Sequence, residues 1–232
     1  MENLRIVGTG ERIEERDLVE FRLLYQGELL PSGNNNRRAR EKHEIRRTFH
    51  PQLRRLWNVE KNLRQLAIMR ATHYKDDVRP ESERPTPKNQ DEAFDLGMQA
   101  MGLNWSRAGF RFIPLVTEDM VLRCSLDILL LRPEEKKLIF ESGDIDGQVK
   151  TLFDALRLPK DASETVNAVP DQDENPFYCL LEDDRLITDV RVTAEKLLLL
   201  PSEREIKAND AFVVIHVTLN HRPARTFDNW FG

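Results

Sequence analysis

The alternation of apolar and polar positions divides this chain into short strands and amphipathic helices. Val19 to Leu30 carries Phe21, Leu23, Leu24, Tyr25, Leu29 and Leu30 and ends at Pro31, which predicts a strand with a turn or bulge at Gly27. Leu53, Leu56, Trp57, Leu63, Leu66 and Ala67 recur at helical spacing, so a helix is expected from Pro51, a residue suited to a first helical turn, to about Ala71. A short helix over Asp91 to Met101 comes next, then a strand from Phe110 to Val116 interrupted by Pro114, and a longer strand from Met120 to Leu131. In that longer strand Leu122, Cys124, Leu126, Ile128 and Leu130 alternate with Arg123, Ser125 and Asp127, the period of a sheet with one covered face. Val149, Leu152, Phe153 and Leu156 mark the buried side of another helix, while Asp146, Lys150 and Asp154 step by four along a different side. Leu186, Thr188, Val190, Val192 and Ala194 share one face of a strand, and Ala211, Val213, Ile215, Val217 and Leu219 share one face of the last.

This order predicts an α+β fold, a mixed β-sheet flanked by helices. Two stretches interrupt it. Asp76 to Gln90 sets Pro80, Pro85 and Pro87 among charges, and Pro159 to Pro176 is polar and acidic. They predict two loop insertions, about 72–109 and 158–177, the second of them mobile and able to hang over a site.

With 232 residues, 40% of them hydrophobic and 32% charged, residues 1–232 are expected to form a single domain. A charged segment follows Met1 and no apolar run approaches the length of a membrane span, so the expectation is a cytoplasmic protein without membrane contact. Cys124 and Cys179 stand in no metal-ligand spacing and are expected in the core. None of His43, His50, His73, His216 and His221 pairs with another at i, i+4. A net charge of −5 argues against a nucleic-acid partner, but residues 33 to 80 hold 13 Lys plus Arg against 5 Asp plus Glu. That stretch is either a solvated helix face or a phosphate-facing surface, with Arg46, Arg47, Arg54, Arg55, Lys61 and Arg64 left for solvent or phosphate.

The candidate chemistry is acidic. Asp144 and Asp146 stand at the mouth of the helix, and Glu182-Asp183-Asp184 forms a second knot. One carboxylate suffices to cap a helix; the four aspartates of the two clusters suit a hard divalent cation, and both readings stand.

Asp144-Ile145-Asp146, Lys150, Asp154-Ala155-Leu156 and Asp183-Asp184 resemble the signature of RusA-like Holliday-junction resolvases, D-x-D-N-x-x-K-x-x-x-D-A-L followed by D-D. Pro31-Ser32-Gly33-Asn34-Asn35 is similar to the Pro-Ser-Asn-Asn element after that family's first strand. The resemblance implies a RusA-like fold and a metal-dependent endonuclease that cleaves branched DNA in recombination and repair, acting as a homodimer. It assigns Asp144, Asp146 and Asp184 to Mg²⁺ or Mn²⁺, with Asp183 beside them, and Lys150 to the charge that builds on the phosphorane. Asp154 falls to structure. Asn34, Asn35, Arg37, Arg38, Arg46 and Arg47 fall to the nucleic-acid backbone. One position departs: where the family has Asn after the second Asp, this chain has Gly147.

Two other classes compete. Asp144-Ile145-Asp146-Gly147 also looks like the D-x-D-G of haloacid-dehalogenase-type phosphohydrolases, in which the first Asp is a nucleophile. Against it, that motif should directly follow a buried strand, yet Glu141-Ser142-Gly143 intervenes after the apolar Leu138-Ile139-Phe140, and only 36 residues separate Asp146 from Asp183. The second competitor is a DNA- or protein-binding relative that keeps the fold without cleavage. The tail residues Phe227, Trp230 and Phe231 are expected to pack on the core or on a partner subunit.

Overall fold

The strictest alternation in the sequence becomes the middle of the main sheet. A computed structural model describes residues 19–33, 38–72, 86–120, 122–133, 144–198 and 206–221. In β7 (Asp210–His221), Ala211, Val213, Ile215, Val217 and Leu219 are fully buried. β7 pairs antiparallel with β1 (Val19–Glu28) on one side and β4 (Leu122–Arg132) on the other, where Leu126, Ile128 and Leu130 stand opposite Val217, Ile215 and Val213. These cross-strand apolar pairs fix the register, since a slip of one residue would turn both sets to the other face. β6 (Ile187–Lys196) runs parallel to β4 and completes the order β1-β7-β4-β6.

Two helices lay apolar faces on this sheet. α1 (Ala39–Val59) contributes Ile45, Phe49, Leu53 and Trp57, and α4 (Asp144–Leu156) contributes Leu152, Ala155 and Leu156, to one core with the strands. A smaller sheet follows the order β2-β3-β5, from β2 (Ser106–Arg107), β3 (Phe110–Val116) and β5 (Phe177–Leu181). α3 (Gln90–Asn104) packs on β3 and on α2 (Lys61–Thr72). Gly97 permits this close approach, since a Cβ there would lie 2.0 Å from the Ala67 carbonyl oxygen. The molecule is therefore of the α+β class, with mixed sheets flanked by helices.

Three expectations change. The helix expected from Pro51 begins twelve residues earlier, at Ala39, and Pro51 lies exposed in its interior. The break comes instead at Glu60, whose backbone is extended (φ −81°, ψ 117°), so one expected helix is two. Pro114 does not interrupt β3: β2 pairs with Phe110 and Arg111, so among the described residues β5 alone lies beside the strand at Pro114 and the missing N–H is tolerated. Residues 158–176, expected to be mobile, are packed instead. They dock on α1, with Glu164, Thr165 and Glu174 buried. Within the first expected insertion, residues 90–104 form α3 and pack on the core. Asn34, Asn35, Arg37, His73, Phe227, Trp230 and Phe231 lie outside the described residues.

The two edges of the main sheet differ. On β1, the Leu24 N–H donates to Gln52 Oε1 at 2.9 Å and Gln52 Nε2 donates to the Leu24 carbonyl at 2.7 Å, so α1 satisfies part of that edge. Every residue of β6 is half-buried or exposed.

Candidate functional site

The first turn of α4 is built against the segment that leaves β1. The Ser32 N–H donates to the Gly147 carbonyl at 2.9 Å, Gln148 Nε2 donates to the Leu29 carbonyl at 2.8 Å, and Thr151 Oγ1 donates to the Leu30 carbonyl at 2.9 Å. Arg132, the last residue of β4, donates from Nη1 to Gln148 Oε1 at 3.1 Å. Two pieces of chain more than a hundred residues apart in sequence thus meet backbone to backbone. The approach requires a glycine: a Cβ on residue 147 would stand 2.7 Å from Pro31 Cβ and 3.2 Å from Pro31 Cα. The departure from the RusA-like pattern at Gly147 has this local physical reason.

Around that contact the predicted residues separate. Asp146 and Lys150 are exposed, one helical turn apart on the same side of α4. Asp144 contributes its backbone to the first turn of α4; its side chain lies outside the described residues. α4 lies beside the 3₁₀ turn Asp184–Leu186, and Asp184 is half-buried there. Asp183 has other work. Its Oδ1 accepts from the Arg185 backbone N–H at 3.0 Å and from Arg185 Nε at 2.9 Å, and the backbone bond first, then the guanidinium, hold the carboxyl below its usual range. Asp183 caps this turn and carries the Arg185 guanidinium. Among the described residues, no three His, Cys, Asp or Glu side chains converge on a point that could hold a metal ion.

Of the cations expected to face phosphate, Arg46 is buried, Arg38, Arg47 and Arg64 are half-buried in ion pairs, and Arg54, Arg55 and Lys61 are exposed. Arg46 is 1% exposed; its guanidinium donates to the carbonyls of Asp154 at 2.9 Å and Arg157 at 3.3 Å, closing the C-terminal end of α4. Arg47 pairs with Glu174 at 2.7 Å, and Arg38 pairs with Glu41 at 3.3 Å. Arg64 pairs with Asp91 at 2.6 Å. Arg46, expected to face a nucleic-acid backbone, is therefore a buried structural cation, while Arg47 stays half-buried in its ion pair. Asp154, expected to be structural, is so: it holds Lys42 Nζ at 2.6 Å and Arg157 Nη2 at 2.9 Å, and Arg157 goes on to Glu164 at 3.0 Å.

His43 lies in the same interior, stacked on Phe177 and edge-on to Phe110, with Nδ1 3.4 Å from Arg46 Nη1 and a buried Nε2 that has no hydrogen-bond partner. Burial, then the charges of Arg46 and Arg47, push its pKa down to about 4. The unfolded chain takes this proton first, so the stability due to neutral His43 is full above about pH 6.5 and is lost as pH falls from there toward 4. His50, with a pKa lowered first by burial, adds in the same direction. His43→Phe is expected to flatten the fall in urea midpoint between pH 7 and 4.5, because the replacement keeps the ring contacts and removes the titrating nitrogen. An unchanged slope would place the acid sensitivity elsewhere.

A cavity of about 170 Å³ lined by Arg54, Asp95, Gln99 and Tyr178, among others, shares no residue with the corner at the start of α4. No described helix is long and apolar enough to cross a membrane. A scan against models of protein families, a search of curated proteins and a search of solved structures find no match to this chain.

Proposed function

We propose that this chain is a RusA-like, metal-dependent endonuclease that cleaves phosphodiesters in branched DNA as a cytoplasmic homodimer. The observation that carries the reading is the bond from Ser32 N–H to the Gly147 carbonyl. It joins the Pro-Ser element and the D-x-D element of the resemblance, remote in sequence, beside exposed Asp146 and Lys150. Mg²⁺ commonly takes one or two protein carboxylates and completes its octahedron with water and substrate phosphate, so a preassembled cage of three acids is not required. Asp146 and Asp144 on the first turn of α4, with Asp184 on the neighbouring turn, are the residues that would hold Mg²⁺ or Mn²⁺. When bound, the ion would polarise the scissile phosphate and lower the pKa of a coordinated water. Lys150, exposed one turn along α4 from Asp146, would neutralise negative charge that builds on the phosphate. The backbone after Pro31 borders the same corner and would guide the strand.

A specific observation favours the binding-protein reading as well: Asp183 Oδ1 is already held by Arg185. The dehalogenase-type reading fits less, because Asp144 to Gly147 form the first turn of a helix and not the strand-end loop that such a nucleophile occupies.

The test is cleavage of a synthetic four-way junction with Mg²⁺ and Mn²⁺. The wild type should cut, and Asp146→Asn should retain binding while losing about a hundredfold or more in rate. Binding without cutting by either protein would select the binding-only relative. Phosphatase activity without cutting would select the dehalogenase class.

A further inference from the structure

We infer that β6 is the homodimer interface, pairing antiparallel with β6 of a second copy in a register centred on Val190. This gives the dimer of the proposed function a surface. It is tested by association alone, so pairing and cleavage can fail separately.

β6 is the terminal strand of the main sheet, and among the described residues its neighbour is β4 on one side only. The opposite edge strand, β1, has α1's Gln52 bonded to its outer backbone. β6 instead presents ten residues that are exposed or half-buried on both faces, including Val190 at 41% and Val192 at 36%. A long strand at the edge of a sheet, with exposed β-branched residues, is a template for another strand.

The sequence of β6 selects its own partner. Opposed residues in an antiparallel pair share the same hydrogen-bonding class, so a two-fold pairing of identical strands is centred on a residue and not between residues. Four such registers overlap by seven residues or more within Ile187–Lys196, centred on Val190, Arg191, Val192 and Thr193. The Arg191 register sets arginine against arginine, and the Val192 register sets Asp189 against Glu195. The Thr193 register pairs Arg191 with Glu195 but sets Val190 against Lys196. Centred on Val190, Asp189 faces Arg191 twice, and on the other face Val190 meets its copy with Thr188 against Val192 on either side. Both exposed valines are then covered and each of the two charges meets its opposite. The product is a continuous eight-stranded sheet. The turns that carry Asp184 would leave opposite ends of the shared edge, with the two Ile187 residues six positions apart, about 20 Å.

A strand pair alone buries less than the roughly 1,200 Å² of a standard interface, so a concentration-dependent equilibrium is expected. Sedimentation equilibrium of the full chain from about 1 to 100 µM should show monomer passing to dimer. Arg191→Asp and Asp189→Arg should each weaken association by roughly tenfold or more, and the double exchange should restore it to within about threefold of wild type. Val190→Cys should form a disulfide-linked dimer on mild oxidation while Thr193→Cys does not; the native Cys124 and Cys179 are buried. A monomer at every concentration overturns the inference, as does a dimer indifferent to both single exchanges, or cross-linking at 193 in place of 190.

Discussion

Asp154→Ala is expected to lower the stability of the fold by about 3–5 kcal/mol, because it leaves two buried cations without their shared carboxylate. Lys42 Nζ, 2.6 Å from Oδ2, and Arg157 Nη2, 2.9 Å from Oδ1, come from α1 and from the residue just after α4. The network ties those helices together where Arg46 also closes the carbonyls at the end of α4. Burial by itself would raise the Asp154 carboxyl; the hydrogen bond from Lys42 and the charge of Arg157 outweigh it and hold the group below the usual carboxylate range. A depressed carboxyl contributes stability that is full above about pH 4 and is lost as pH falls through the still lower folded value. That window lies below the one for His43, so acid unfolding should show two components, and Asp154→Asn should remove the lower one. Urea midpoints from pH 7 to 2.5 separate them. Equal stability of Asp154→Ala and wild type at pH 7 would show that the cations find other partners.

Gly147→Asn, which writes the family's residue into this chain, is expected to cost about 1–3 kcal/mol and to gain no activity. The clash arises at Cβ, 2.7 Å from Pro31 Cβ and 3.3 Å from the Ser32 nitrogen, and the backbone cannot retreat without breaking the bond between Ser32 and Gly147. Gly147→Ala should therefore cost about as much, although glycine to alanine inside a helix ordinarily gains about 1 kcal/mol. Thermal unfolding of the two variants checks the sign. Neutral or stabilising values for both would mean that residues 29–32 move away freely.

Much of the strand framework was legible because alternation reports burial directly, as in β7, where every second residue from Ala211 to Leu219 is buried. The start of α1 was not, because Lys42, His43, Arg46 and His50 read as solvent-facing and are buried. The groups that make Lys42 and Arg46 affordable inside, the Asp154 carboxylate and carbonyl and the Arg157 carbonyl, lie 108 to 112 residues along the chain. The same cause misplaces residues 158–176: a polar segment reads as mobile, yet Glu164 and Glu174 are the counter-charges for Arg157 and Arg47. At the candidate site the motif made Asp146, Lys150 and Pro31-Ser32 visible and set Asp154 apart as structural. Gln148 and Thr151, which stitch Leu29 and Leu30 to α4, gave no signal, since a polar residue on a helix announces nothing about a carbonyl from another element. Asp183 was readable in principle as the cap of a short turn, accepting from the N–H two residues on.

The central claim is that the first turn of α4, the segment after Pro31 and the turn at Asp184 border one cation site. Replacing Mg²⁺ with Fe²⁺ and adding ascorbate and peroxide cuts a polypeptide wherever its backbone lies next to the bound metal. The account predicts chain breaks clustered near residues 31–33, 144–147 and 183–185, suppressed together by excess Mg²⁺ and by Asp146→Asn. Breaks at one of these segments alone, or none that Mg²⁺ suppresses, would contradict it.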